Sequence, residues 1–91
     1  MNQDEAMIVA LEAFAHIASN SDLLDRFIMI SGADADAMRA GARDPAFMAG
    51  VLDFLLGDDA VIAAFCAGAE IAPESPMRAR AALPGAAPEW S

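Results

Sequence analysis

Ninety-one residues supply one small domain, enough chain to bury a core unaided but with little margin. An apolar fraction of 57%, rich in alanine and without tyrosine, argues against disorder of the whole chain and for helices over strands. Five arginines and no lysine stand against fourteen carboxylates, a formal net charge of -9, which excludes a basic stripe for nucleic acid and makes a basic or apolar protein surface the natural partner.

The first helix is expected to begin at Asn2, with Glu5 three residues on in capping-box spacing, and to run to about Ala18. Met7, Leu11, Phe14 and Ala18 follow helical steps and read as its buried stripe, widened by Ile8 and Ile17. Glu5, Glu12, His16 and Ser19 fall on the polar side. Ser19, Asn20 and Ser21 supply a turn and a cap for a second helix, whose inner face reads as Leu23, Leu24, Phe27, Ile28 and Ile30, with Gly32 as its left-handed stop. Asp22 and Arg26 stand four apart, placed for a supporting pair, and Met29 falls with them on the outer face.

Asp34 caps a short third helix through Ala35, Met38 and Ala42, ending near Arg43. Asp44 followed by Pro45 reads as the start of a fourth, from Pro45 to Leu56, with Phe47, Met48, Val51, Leu52 and Leu55 inward and Asp53 outward. Gly57 ends it. Asp58 then stands where a fifth helix needs a capping acceptor and Asp59 where the helix dipole favours negative charge. That helix carries Val61, Ile62, Phe65 and Cys66 inward and stops near Gly68. Ser75 and Pro76 open a last helix through about Leu83, with Met77 and Leu83 inward and Pro84 and Gly85 as its stop.

The pattern therefore predicts an all-α, compact bundle of five to six short helices, one domain over residues 1–84, with 85–91 as a flexible C-terminal tail from which Trp90 folds back. A shift of 38 residues lays Phe27 on Phe65, Leu23 on Val61, Leu24 on Ile62, Asn20 on Asp58 and Ile17 on Leu55. The chain thus reads as two pseudo-repeated three-helix units, 5–43 and 44–83, sharing one core.

Chemistry is sparse in this pattern. His16 and Cys66, the single residues of their kinds, fall on a polar and a buried face respectively, so a Cys/His nucleophilic site is not expected. Read as a calcium loop, DADAMRAGARD starting at Asp34 puts Met38 at the fifth position, Arg39 where glycine is required and Pro45 where the bidentate glutamate belongs. Asp53, Asp58, Asp59 and Glu70 read as caps and solvated charges before they read as a cation site. With no phosphate loop and no convergent acid, base and nucleophile, the expectation is a protein that is no enzyme, with no catalytic, cofactor or metal residues. Uncharged runs such as 60–69 are about half of the roughly 20 residues a spanning helix needs, Asp4 and Glu5 stand where a secretory signal would be basic, and a lone cysteine suits a reducing compartment. Cytoplasmic residence, with no membrane contact, follows.

The cap SNSDLLDRF, the stretch DPAFMAGVLDFLLGDDAVIAAF and the closing PEWS together resemble a family of short alphaproteobacterial proteins that bears only the label of a domain of unknown function. The resemblance covers nearly the whole chain and implies a bacterial cytosolic protein, with some weight toward a regulatory role. It supplies no activity, cofactor or site residue. The expected function is accordingly a small acidic interaction or regulatory module, monomer or homodimer, for which Met29, Met38, Met77 and Trp90 are the candidate partner-binding residues, Met38 and Met77 lining a groove between the halves. The alternative is a small-ligand-binding bundle with an enclosed pocket between the two halves.

Overall fold

Short side chains that cap helices recur along this chain, and in the computed structural model, which describes residues 1–84, Asn2, Asn20, Asp34, Asp44 and Asp58 each open a helix while the last helix begins without a side-chain cap. Among the described residues the elements are α1 (Gln3–Ala18), α2 (Ser21–Ser31), α3 (Ala35–Gly41), α4 (Pro45–Leu56), α5 (Asp59–Ala69) and α6 (Ser75–Ala81). Trp90 and the expected tail 85–91 lie outside the described residues.

The caps act as their chemistry predicts. Asn2 and Glu5 form a reciprocal capping box at the start of α1, with Asn2 Oδ1 accepting from the Glu5 amide at 2.7 Å. The Asn20 carboxamide oxygen accepts from the amides of Asp22 and Leu23, and Asp58 accepts in the same way from Ala60 and Val61. Asp34 and Asp44 cap α3 and α4, the latter with Pro45 at the first helical position. Helix α5 runs past Gly68, its expected stop, to Ala69. Glu70 closes it in the left-handed region at φ 57°, a conformation more often left to glycine.

Helices α1 and α4 form the centre: α6 packs on both, α2 on α1, α3 on α4, and α5 chiefly on α4 with a smaller contact to α1. The whole measures 32 × 26 × 24 Å. One apolar cluster holds it together, built from Ala6, Ala10, Ala13 and Ile17 of α1, Leu23 and Phe27 of α2, Met48, Val51, Leu52 and Leu55 of α4, and Phe65 and Cys66 of α5. Among the described residues no polar or charged side chain is buried.

The buried face of α1 differs from the expected one. Leu11 and Ile8 are 51% and 61% exposed and Ala18 lies outside, while Ala6, Val9, Ala10, Ala13 and Ile17 are buried. The helix is turned so that its small residues meet α4 and α6. An alanine face lets helix axes approach closely and gain dispersion contact along their whole length, which outweighs burying two larger side chains at one edge. Ile28 and Ile30 of α2, expected in the core, are also exposed, at 37% and 74%. Met77 of α6 is 66% exposed, since Pro76, Ala79 and Leu83 take the inner positions.

Gly41 serves a purpose that its place near the end of α3 does not announce. A Cβ there would overlap the Phe47 ring, so the bare backbone of α3 is what allows that ring to lie against it and seat α3 on α4.

Candidate functional site

An open groove of about 580 Å³ runs between α2 and α4. Phe27 and Ile30 line it from α2, and Phe47, Gly50, Asp53 and Phe54 line it from α4. Its floor is aromatic: the Phe27 ring lies 5.9 Å from that of Phe47 and 5.4 Å from that of Phe54, both edge-on, and Phe14 of α1 stands behind Phe27 and Phe47 at 6.1 and 5.9 Å. Such edge-to-face rings hold one another in place and make the floor rigid. Arg26 approaches Asp58 at one end, and Ile30, Ser31 and Ala46 meet at the other, so α2 and α4 run antiparallel along the trough.

Gly50 sits in the middle of α4, and apart from its own chain neighbours and helix backbone no atom lies within 4 Å of where its Cβ would stand. Mid-helix glycine costs about 1 kcal/mol against alanine. At Gly41 a packed ring explains the glycine; at Gly50, as at Gly32 and Gly68, nothing packs against the position, which here opens onto the groove.

The charged residues of the lining are Arg26, Asp53 and Asp58, and Asp44 caps α4 beside the lining residue Ala46. At the far end Asp53 Oδ1 accepts from Arg80 Nε at 2.6 Å, and Arg80 Nη1 donates to the Pro84 carbonyl at 3.1 Å, tying α6 to α4. Arg26, expected to pair with Asp22, instead has Nη1 3.9 Å from Asp58 Oδ2. Both groups are well exposed, so that contact stabilises little.

Of the residues singled out in the sequence, Met29 is 84% exposed on the outer side of α2, next to the groove residue Ile30, itself 74% exposed. Met38 is half-buried against the core and Met77 faces outward on α6. Neither lines the groove, because the trough lies between α2 and α4 while these two stand on α3 and α6. Trp90 falls outside the described residues. Of the groove residues, Phe47 was read in the sequence as an inward residue of the fourth helix, and Gly50 and Phe54 were not singled out there. The one available signal was a glycine inside a strong helical pattern.

The singular titratable residues lie apart from the groove and in separate depressions. His16, expected on a solvated face beside Glu12, is half-buried with its ring 5.7 Å from Phe65. Cys66 is buried in the wall formed by Ile62, Ile71 and Pro73. Burial pushes its thiol above the ordinary value, and the nearby Glu74 carboxylate adds to the shift, so the reactive thiolate is disfavoured. Among the described residues no three His, Cys, Asp or Glu side chains gather closely enough to hold a metal ion. No helix there is long and apolar enough to cross a membrane.

A small all-helical fold with an apolar core and an open aromatic groove is the class of protein these features define. The chain belongs to the DUF3572 family, whose description is "protein of unknown function" and whose profile matches residues 3–86. No curated protein and no solved structure matches it.

Proposed function

We propose that this protein is a non-enzymatic interaction module that receives a segment of a partner protein in the α2–α4 groove. The observation that carries the reading is the groove itself: an open trough of about 580 Å³ with an aromatic floor and Gly50 in its wall, beside the exposed Met29 and Ile30. Large apolar side chains left in water next to a concave apolar surface favour association, and methionine adapts its shape to what it meets. A buried core without polar groups and a thiol held protonated support a role without catalysis. The reading assigns the protein to the cytoplasm, where a lone free cysteine is ordinary.

A photo-crosslinking side chain in place of Met29, in cells of the native host, tests this. A discrete protein adduct is expected, and Gly50→Leu, which projects a bulky side chain into the trough without touching the core, should weaken or abolish it while the circular dichroism spectrum stays unchanged. An adduct indifferent to Gly50→Leu, or none at all, overturns the reading. A second reading, a small apolar ligand, draws on the groove's volume of about 580 Å³, within the range of ligand sites. The groove is open along its length, however, where that reading expects an enclosed cavity.

A further inference from the structure

We infer that the segment following Pro84 brings Trp90 back into the α2–α4 groove, so that this chain carries its own tethered occupant of the site and a partner must displace it. The contact shares the groove with the proposed docking role but requires no partner to form.

The point of departure is fixed by one side chain. Arg80 of α6, only 16% exposed, holds Asp53 Oδ1 through Nε at 2.6 Å while its Nη1 donates to the Pro84 carbonyl at 3.1 Å. Asp53 lines the groove. The guanidinium thus clamps Pro84, the last described residue, to the groove's rim, and the chain beyond it starts from there. Trp90 stands six positions further on, and six residues span up to about 20 Å. Along α4 the lining runs from Ala46 to Gly57, about 16 Å at 1.5 Å per residue, so every point of the groove is within reach of the indole.

The groove suits that side chain. Space over Gly50 is open, and the rings of Phe27 and Phe54 offer an indole the aromatic contacts it favours. Gly85, Ala86, Ala87 and Pro88 carry no large side chain, which leaves Trp90 as the bulky apolar residue of the segment. Tethering supplies an effective concentration of about millimolar order, so the contact needs no steering charge. Charge does not oppose it either. Asp53 is paired with Arg80 and Asp58 stands 3.9 Å from Arg26, so neither lining carboxylate is left bare to repel Glu89, and the exposed Arg26 offers it the opposite sign.

The sequence has one tryptophan and no tyrosine, so the intrinsic fluorescence of the full chain reports Trp90 alone. In the free protein a blue-shifted emission is expected, with acrylamide quenching weaker than for a free tryptophan amide. Gly50→Leu, which occupies the path, should shift the emission to the red and raise quenching to that of the free amide at an unchanged circular dichroism spectrum. Ile30→Ser, at an exposed lining position, should do the same in smaller measure. A solvated Trp90 in the unsubstituted chain overturns the inference. So does a protected Trp90 that ignores both substitutions, which puts it on another surface. Protection that fades on dilution, with a dimer in light scattering, makes the occupant the segment of a second copy and overturns the tethered contact.

The photo-crosslinking side chain in place of Met29 separates this contact from the docking role. In the purified protein it should join residues 85–91 of its own chain, and in cells Trp90→Ala should strengthen the partner adduct. If Trp90 is docked and no partner adduct forms, the tethered contact holds and the docking role falls. If a Gly50-dependent adduct forms while Trp90 is solvated, the docking role holds and the tethered contact falls.

Discussion

Helices α2 and α5 stand 38 positions apart and are built to one plan, yet they end differently. Each has eleven residues, an Asn20 or Asp58 cap accepting from the second and third amides, a buried Phe27 or Phe65, and a left-handed closing residue whose amide bonds back to Ile28 or Cys66. In its last turn α5 carries Cys66, Ala67 and Gly68, small residues, with the cysteine buried. At the same places α2 carries Ile28, Met29 and Ile30, large residues facing water. Local rules treat the two helices alike. What separates them is a large apolar surface on α2 that the fold does not use, and that excess is the reason to place a binding role there.

The largest test of the parallel removes its shared core residue. Phe27→Ala and Phe65→Ala should each cost about 3 to 5 kcal/mol in urea unfolding, and only the first should also abolish binding at the groove. A Phe27 substitution much cheaper than its counterpart would mean that the aromatic floor is not part of the core. Next in size is Gly41→Ala, which forces a Cβ into the Phe47 ring and should cost about 1 to 3 kcal/mol by overpacking.

The two caps provide a finer comparison. Asn20→Ala and Asp58→Ala should each lower stability by about 0.5 to 2 kcal/mol and agree closely, since the Asp58 contact with Arg26 is weak. Loss of partner binding in Asp58→Ala at unchanged stability would make the aspartate functional instead of a cap. Smallest are the closing residues, which should move in opposite directions. Gly32→Ala puts a Cβ on a left-handed residue and destabilises by about 1 kcal/mol, whereas Glu70→Gly relieves that strain and stabilises by up to about 1 kcal/mol, read as shifts in thermal midpoint.

These likenesses support the two-unit relation of the halves, which stands as a proposal that superposing the two triplets would test. Packing departs from it at one place: α6 lies on both α1 and α4, while α3 rests mainly on α4. In such a relation the third helix of each unit would have drifted furthest from its counterpart.

Much of the fold was legible because caps and stops are local. Asn2, Asn20, Asp34, Asp44 and Asp58 each bond amides two or three residues ahead, and Pro45 fixes its own φ, so no distant residue is needed to read them. The faces were less legible. A hydrophobic count ranks Leu11 and Ile8 above Ala6, Ala10 and Ala13, and the count was overruled because alanine's value lies in how closely another helix can approach, a property of the pair. Met77, Ile28 and Ile30 were misplaced for the same reason: whether a face is inside depends on what lies opposite. The groove was hidden because Phe47, read as an inward residue, is half-buried and builds its floor together with the half-buried Phe54.

By itself the sequence determined the all-helical class, nearly where each helix begins and ends, and the net charge of -9. Each of these rests on composition or on contacts within one helical turn. Tertiary structure decided which stripe of α1 is buried, that Arg26 reaches Asp58, that Gly41 receives a ring and that Gly50 receives nothing. Those outcomes depend on residues far apart in the chain meeting at van der Waals distance, and two glycines nine positions apart acquire opposite meanings only when their neighbours in space are known.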